Sequence, residues 1–215
     1  MRNFKVPAFL GFVILSVFLA ASCSDNEDSS TTGPGTSGNS TAGSLATHAG
    51  TNFKVTEANV DSVSETVTET TYEVFGKALA AAGSAKTAKT AIDIPLSGTA
   101  NGSVSGHASV SGKYVVSSDY NTITYNFTCT FYDYSDDGKL YYGGSIVYTG
   151  TWVMSTEAYN LTFRGGLKFN GAYEGTQDFT TTYVYNMSAG SVNIQSTTST
   201  TSGGQTFTST YRYPE

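Results

Sequence analysis

From Ala91 onward apolar and polar residues alternate with a period of two, the pattern of strands that bury one face. Eight strands are predicted, at about 91–97, 103–117, 122–134, 139–154, 159–173, 177–187, 192–201 and 206–213, each closing near a cluster of Gly, Asn, Asp or Ser. Connections this short make neighbouring strands antiparallel. The fourth strand carries Leu140, Tyr142, Gly144, Ile146, Tyr148, Gly150, Trp152 and Met154 on one parity. The fifth carries Tyr159, Leu161, Phe163, Gly165, Leu167, Phe169, Gly171 and Tyr173 on one parity. Every ring after Ala91 falls on this same face except Tyr120, Tyr132, Tyr134 and Tyr141, so the ring-bearing face is a core and the Ser/Thr-rich face suits water.

Ahead of the strands the period changes. Val60, Val63, Val67, Val74, Ala78 and Ala81 follow spacings of three, four or seven, with Thr70 or Thr71 filling the gap, which predicts an amphipathic helix over about 56–83. Thr56 is its N-cap and Gly83 its stop. Glu57, Asp61, Glu65, Glu69 and Glu73 recur every four residues and repel one another, so the helix depends on docking its apolar stripe. Read as chemistry this row is a cation-binding ladder; read as a solvated helix face, the favoured reading, it needs no ion. At about 40 Å the helix has the length to lie lengthwise along a concave sheet.

Glycines test the register. Pairing Met154 with Tyr159 sets Gly144 opposite Phe169, Gly150 opposite Phe163, Gly165 opposite Tyr148 and Gly171 opposite Tyr142. Pairing Tyr173 with Gln177 sets Gly171 beside Phe179 and Gly165 beside Tyr185, and pairing Ser117 with Thr122 sets Gly112 beside Phe127. Rings folding over cross-strand glycines recover lost packing, and the glycines permit bending. The predicted fold is mainly β: an antiparallel meander of about eight strands over 91–213, strongly curved or barrel-like, with the helix packed on its apolar face. Residues 51–215 form this single domain.

The first 22 residues differ from the rest. Arg2 and Lys5 precede an apolar run from Phe9 to Ala21, and small residues lead into Cys23, the layout of a secretory signal. The run is too short for a comfortable membrane-spanning helix. Ala20-Ala21-Ser22-Cys23 resembles the lipobox of bacterial lipoproteins, with Ala20 where that family more often has Leu. The resemblance covers about a tenth of the chain and implies cleavage before Cys23, acylation of its sulfur, and anchorage in the outer membrane. The acidic run Asp25, Glu27 and Asp28 resembles the export signal of Bacteroidota lipoproteins; as a plain solvated linker it leaves the periplasmic and outer sides equally open. Residues 23–50, rich in Ser, Thr and Gly, are expected to be a disordered tether.

Composition sharpens this in one respect. Only 13% of residues are charged, while 27 serines and 33 threonines carry the polarity. With 11 basic residues against 17 acidic ones, a nucleic-acid partner is disfavoured, because such binding rests on neutralising phosphates.

Candidate chemistry is sparse. Within the predicted domain His107 is the single histidine and lies on the polar face, so no obvious general base is present. Cys129 lies between Phe127 and Phe131 on the ring face, as an inert buried thiol would. Asp133, Ser135 and Asp137 before Gly138 resemble the first half of a calcium loop, but Gly144 stands where the closing Glu belongs, and a hairpin turn accounts for Asp136-Asp137-Gly138 without an ion. Glu174 and Asp178 are expected on the same rim, about 10 Å away. No pair among Asp119, Asp133, Glu157, Glu174 and Asp178 is singled out for glycoside hydrolysis. The rings off the core face, Tyr120, Tyr132, Tyr134 and Tyr141, suit sugar stacking or protein contact.

The reading is therefore a lipid-anchored outer-membrane or cell-surface protein with a binding or structural role, neither an enzyme nor a cofactor carrier, whose protein or glycan partner is left open. Two alternatives stand beside it. One is a carrier of an apolar ligand in a lipocalin-like cavity, which fails if Val60, Val63, Val67 and Val74 fill the concave face. The other is a small transmembrane β-barrel with its rings toward lipid.

Overall fold

The computed structural model describes residues 43–81, 92–186 and 189–213; Cys23 and the predicted signal segment, Gly83, and the connector with Lys86 and Lys89 lie outside the described residues. In chain order the elements are β1 (Phe53–Lys54), α1 (Val60–Ala81), β2 (Ile92–Asn101), β3 (Ser105–Val116), β4 (Thr122–Ser135), β5 (Leu140–Val153), β6 (Ala158–Gly171), β7 (Tyr173–Asn186), β8 (Ser191–Ser202) and β9 (Gln205–Tyr213). Strands β2 to β9 form one curved antiparallel meander in sequence order, open between β2 and β9. The short β1 joins it in parallel beside Tyr173 and Glu174 of β7.

Helix α1 lies in the concave, ring-bearing face. A turn over 57–59 leads into it: Thr56 O accepts from Val60 N–H at 2.9 Å and Asn59 Oδ1 accepts from Thr56 N–H at 2.8 Å, so the helix begins at Val60, four residues past the predicted N-cap. Val63, Val67, Thr71, Val74, Phe75, Ala78 and Leu79 are its buried stripe, and Asp61, Glu65, Glu69 and Glu73 are exposed, so the acidic row is a solvated face.

The direction of α1 differs from the expected lengthwise packing. Ser64 Oγ meets Thr200 Oγ1 of β8 at 2.8 Å and Gln177 Nε2 of β7 donates to Thr68 Oγ1 at 3.0 Å. Farther along, Tyr72 lies edge-on to Phe163 of β6, and Phe75 stacks on Tyr148 of β5 and tilts against Phe127 of β4. The helix also runs close to β2 and β3. It therefore crosses the strands, and its sides match what they cross, with hydroxyls toward β7 and β8 and rings toward β4 to β6. Buried Thr181, Thr200, Ser202 and Gln177 belong to that polar flank. Hydroxyls thus serve inside the fold as well as on the convex face.

Both alternatives meet this geometry directly. Val63, Val67 and Val74 are buried and Val60 half-buried, as a filled face requires. Of the rings that a spanning barrel would turn toward lipid, Phe127, Tyr148 and Phe163 meet Phe75 or Tyr72 of the helix, and the sheet is not closed. Among the described residues no helix is long and apolar enough to cross a membrane.

Registers agree with expectation in one hairpin and differ in two. Ser117 N–H donates to Thr122 O at 2.8 Å and Gly112 pairs with Phe127, as predicted. Between β5 and β6 the predicted pairing is two residues out. Met154–Thr156 wind into a 3-10 turn ended by Glu157 in the left-handed conformation, so Val153 pairs with Ala158 and rings meet rings: Trp152 beside Tyr159, Tyr148 beside Phe163. Between β6 and β7 the displacement is six, because Tyr173 and Glu174 pair with β1 and the first β6 partner is Gly175, opposite Phe169. Glycines still face rings, through other neighbours: Gly144 opposite Phe131, Gly150 opposite Tyr125, Gly165 opposite Phe179.

Candidate functional site

The polar groups of the domain gather at the rim formed by the β2–β3 and β4–β5 hairpins. A paired distortion builds it. Gly106 (φ 59°) in β3 and Asp133 (φ 54°) in β4 both take left-handed conformations, and the registers of β3–β4 and β4–β5 shift there. Such a bulge re-aims side chains. Past it the parity of β4 is reversed, so Tyr134, expected on the polar face, is fully buried against Phe131 and Ser135 is buried too. Asp133 itself points to the convex side.

There it holds a strap that was expected to belong to the disordered tether. Residues 43–50 run along the sheet, with Ser44, Leu45 and His48 half-buried and Ala46, Thr47, Ala49 and Gly50 exposed. Asp133 N–H donates to Ser44 O at 3.0 Å, its Oδ1 accepts from Ala46 N–H at 3.1 Å and from His48 Nε2 at 2.6 Å, and its Oδ2 accepts from Ser105 Oγ at 3.1 Å. A carboxylate only accepts, so Nε2 of His48 carries the proton in this contact. The imidazole stacks on Tyr141 with centroids 3.5 Å apart, and Asn170 Nδ2 donates to Ala46 O at 2.7 Å. His48 is thus a second histidine of the fold. Beyond it Asn52 N–H donates to Gly171 O at 2.8 Å and Phe53 N–H to Ala172 O at 3.0 Å, carrying the strap round the β6–β7 hairpin toward the helix.

A second cluster adjoins the first. Asp136 accepts from Tyr134 OH at 2.5 Å, Ser103 N–H at 3.0 Å, Ser103 Oγ at 3.1 Å and Lys77 Nζ at 3.1 Å, and Lys77 also pairs with Glu73 at 2.9 Å. Partial burial pushes the Asp136 carboxyl upward, but the donors from Tyr134, Ser103 and Lys77 outweigh it and hold it down at about 2. Its stability contribution is therefore complete above the ordinary carboxylate value near 4 and is lost as pH falls toward 2. With the side chain 30% exposed, solvent screening reduces the contribution to about 1–2 kcal/mol. Asp136→Asn is expected to flatten that part of the stability curve, read by urea midpoints between pH 2 and 5. An unchanged difference between variant and parent over that range contradicts the assignment.

The predicted site residues do not converge. Asp133 is taken by the strap, Ser135 Oγ accepts from Gly138 N–H at 3.0 Å, and Asp137 Oδ1 accepts from Lys139 and Leu140 N–H at 2.8 and 3.2 Å. Among the described residues no three His, Cys, Asp or Glu side chains are grouped to hold an ion. Asp119 closes its own turn, accepting from Ser117 Oγ and Asn121 N–H; Glu174 pairs with Lys54; Glu157 caps the 3-10 turn; Asp178 is exposed. Ser105 donates to Asp133 and not to His48, so the Asp–His contact activates no hydroxyl. Burial pushes the Cys129 thiol up to about 12, which keeps it from acting as a thiolate.

The rings expected to meet a partner are also mostly occupied. Tyr132 stacks on His107 with centroids 4.7 Å apart, Tyr141 stacks on His48, and Tyr134 is buried; Tyr120 alone of the four stays exposed. His48 and Lys77 were missed by sequence reasoning for different reasons. The segment around His48 has the composition of a linker, and the Lys77–Asp136 contact joins elements whose relative position no local pattern encodes.

Compared with protein families, with curated proteins and with solved structures, the chain matches none.

Proposed function

We propose that the protein is lipid-anchored through Cys23 in the outer membrane and presents its domain for a binding or structural role rather than for catalysis. Anchorage rests on the resemblance of Ala20–Cys23 to a lipobox; the non-catalytic role rests on the occupancy of the rim cluster, where Asp133, Asp136 and Asp137 all accept from donors of the same chain. General acid or base work needs such a group presented to a substrate. What these contacts supply is a clasped rim, and what the convex face supplies is a weakly charged hydroxyl surface.

Anchorage is tested by labelling cells with an alkynyl fatty acid and extracting membranes with carbonate. The parent chain is expected to carry label and remain with the membrane. Cys23→Ala is expected to lose the label and enter the soluble fraction, because one acyl group alone already contributes about 0.8 kcal/mol per buried methylene. An unlabelled parent, or a Cys23→Ala chain that resists carbonate, overturns the anchor. Protease added to intact cells then distinguishes the outer surface, where the domain is cleaved, from the periplasmic side, where it survives.

A further inference from the structure

An open meander has two edge strands, and they are built differently. Edge β2 carries Pro95 in its interior, which removes a backbone donor, and Asp93, which pairs with Lys113 at 2.7 Å; helix α1 lies close beside it. Among the described residues edge β9 has none of these devices. Its pairing to β8 is unbroken from Ile194–Tyr213 to Ser202–Gln205, so no bulge twists it away. It contains no proline, and Arg212 is its single charge. Only Phe207 and Tyr211 are half-buried; the other seven residues are exposed. A long edge with a single charge, rich in Thr and aromatic residues, is a template for another strand.

The order of residues along β9 indicates which strand. Reading outward from Ser209 in both directions gives Thr208 and Thr210, then Phe207 and Tyr211, then Thr206 and Arg212, then Gln205 and Tyr213. The central five residues, Phe207–Tyr211, form a palindrome in side-chain class, while the flanking pairs Thr206/Arg212 and Gln205/Tyr213 do not match. We propose that β9 is a self-association edge: two copies of this chain pair antiparallel through Gln205–Tyr213 about a two-fold axis at Ser209, joining their sheets into one. All nine residues find partners in this register. Phe207 lies opposite Tyr211 of the second copy, a ring pair on the concave side; Thr208 lies opposite Thr210 of the second copy on the convex side; and each Arg212 meets a threonine, so no like charges oppose. The same patch serves both copies, as a closed two-fold interface requires. A foreign peptide of matching pattern could use the same backbone groups, but it would have no reason to respect the symmetry about Ser209.

That symmetry is the test. Single cysteines are placed at 206, 209 and 212 in the full chain, which is oxidised in membranes and run without reductant. The parent, whose Cys129 is buried, gives the background. Directly opposed residues of an antiparallel pair have Cα atoms within disulfide reach, whereas Thr206 and Arg212 lie far from their own copies. Ser209→Cys is therefore expected to give at least about fivefold more disulfide-linked dimer than Thr206→Cys or Arg212→Cys. Equal yields at the three positions, no dimer at 209, or an adduct of another mass there overturns the proposal. Charge provides a second reading. Ser209→Lys and Ser209→Glu are expected each to abolish the dimer while circular dichroism stays that of the parent, and co-expression of the two is expected to restore it as a mixed dimer. Failure to restore it also overturns the two-fold register.

Discussion

Replacing Phe75 with alanine is expected to lower the unfolding free energy by about 3–5 kcal/mol, read as a fall in the urea midpoint with little change in slope. Phe75 is 5% exposed, stacks on Tyr148 at 3.7 Å and reaches Phe127 at 6.5 Å. It is the point at which a helix crossing the strands touches the deepest part of the sheet. Truncation removes the transfer free energy of the ring and leaves a cavity that the stiff sheet cannot close. The helix has little to offset this, since its interior is rich in threonine and valine and its acidic residues repel. Glu69→Ala on the exposed face is the comparison and is expected to stay within about 0.5 kcal/mol of the parent. A loss below about 1 kcal/mol for Phe75→Ala would show that the ring is not docked as described.

The second large effect concerns the bulge. At Gly106 an added Cβ would lie 2.1 Å from Tyr132 O and 2.4 Å from Asp133 O, both backbone, with φ at 59°. Gly106→Ala is expected to cost about 3 kcal/mol or more, combining left-handed strain with displacement of a paired strand. Gly204, in the β8–β9 turn, has φ 80° and open space where a Cβ would go, so Gly204→Ala carries the backbone strain alone, about 1 kcal/mol. The difference between the two isolates the steric part. Gly106→Ala is also expected to speed proteolysis between Gly43 and Thr51 well below the global transition, because relaxing the bulge withdraws Asp133 from Ala46 and His48. Equal costs at the two glycines, with the strap still protected, would mean that β3 absorbs the methyl group without losing the bulge.

The strand count, the buried face and the presence of one docked helix were legible because side-chain parity and the helical period are local properties. Register was less so. Alternation is insensitive to an even slip, so shifts of two and six residues leave every ring on its proper face. Choosing among them took information from outside the hairpin: the 3-10 turn at Met154–Thr156, and β1 capturing Tyr173 and Glu174. Tyr134 was assigned to the wrong face because one residue at Asp133 reverses parity, and aspartate in a left-handed bulge carries the same letter as aspartate in a turn. The rim cluster was half visible. Asp133, Ser135 and Asp137 were noticed as oxygen donors, but their partners come from residues 44–48 and from local backbone, and only the strap's long-range contacts reveal that the donors are already spent.

The strap and helix also constrain the order of assembly. Val55 N–H donates to Ser202 Oγ across 147 positions of sequence, Ser64 meets Thr200 across 136, and Ala46 meets Asp133 across 87. Val55 and Ser64 thus find their partners only once β8 exists, whereas the partners of Ala46 lie earlier, in β4 and β6. The meander grows by neighbouring hairpins, each closing a short loop, while the strap waits for β4 to β6 and the first turns of the helix wait for β8. In a chain that grows from its N-terminal side the strap would stay unclasped until β6 had formed, and the helix would stay undocked from β8 until nearly the whole sheet was in place, leaving both segments pliable while the sheet is built.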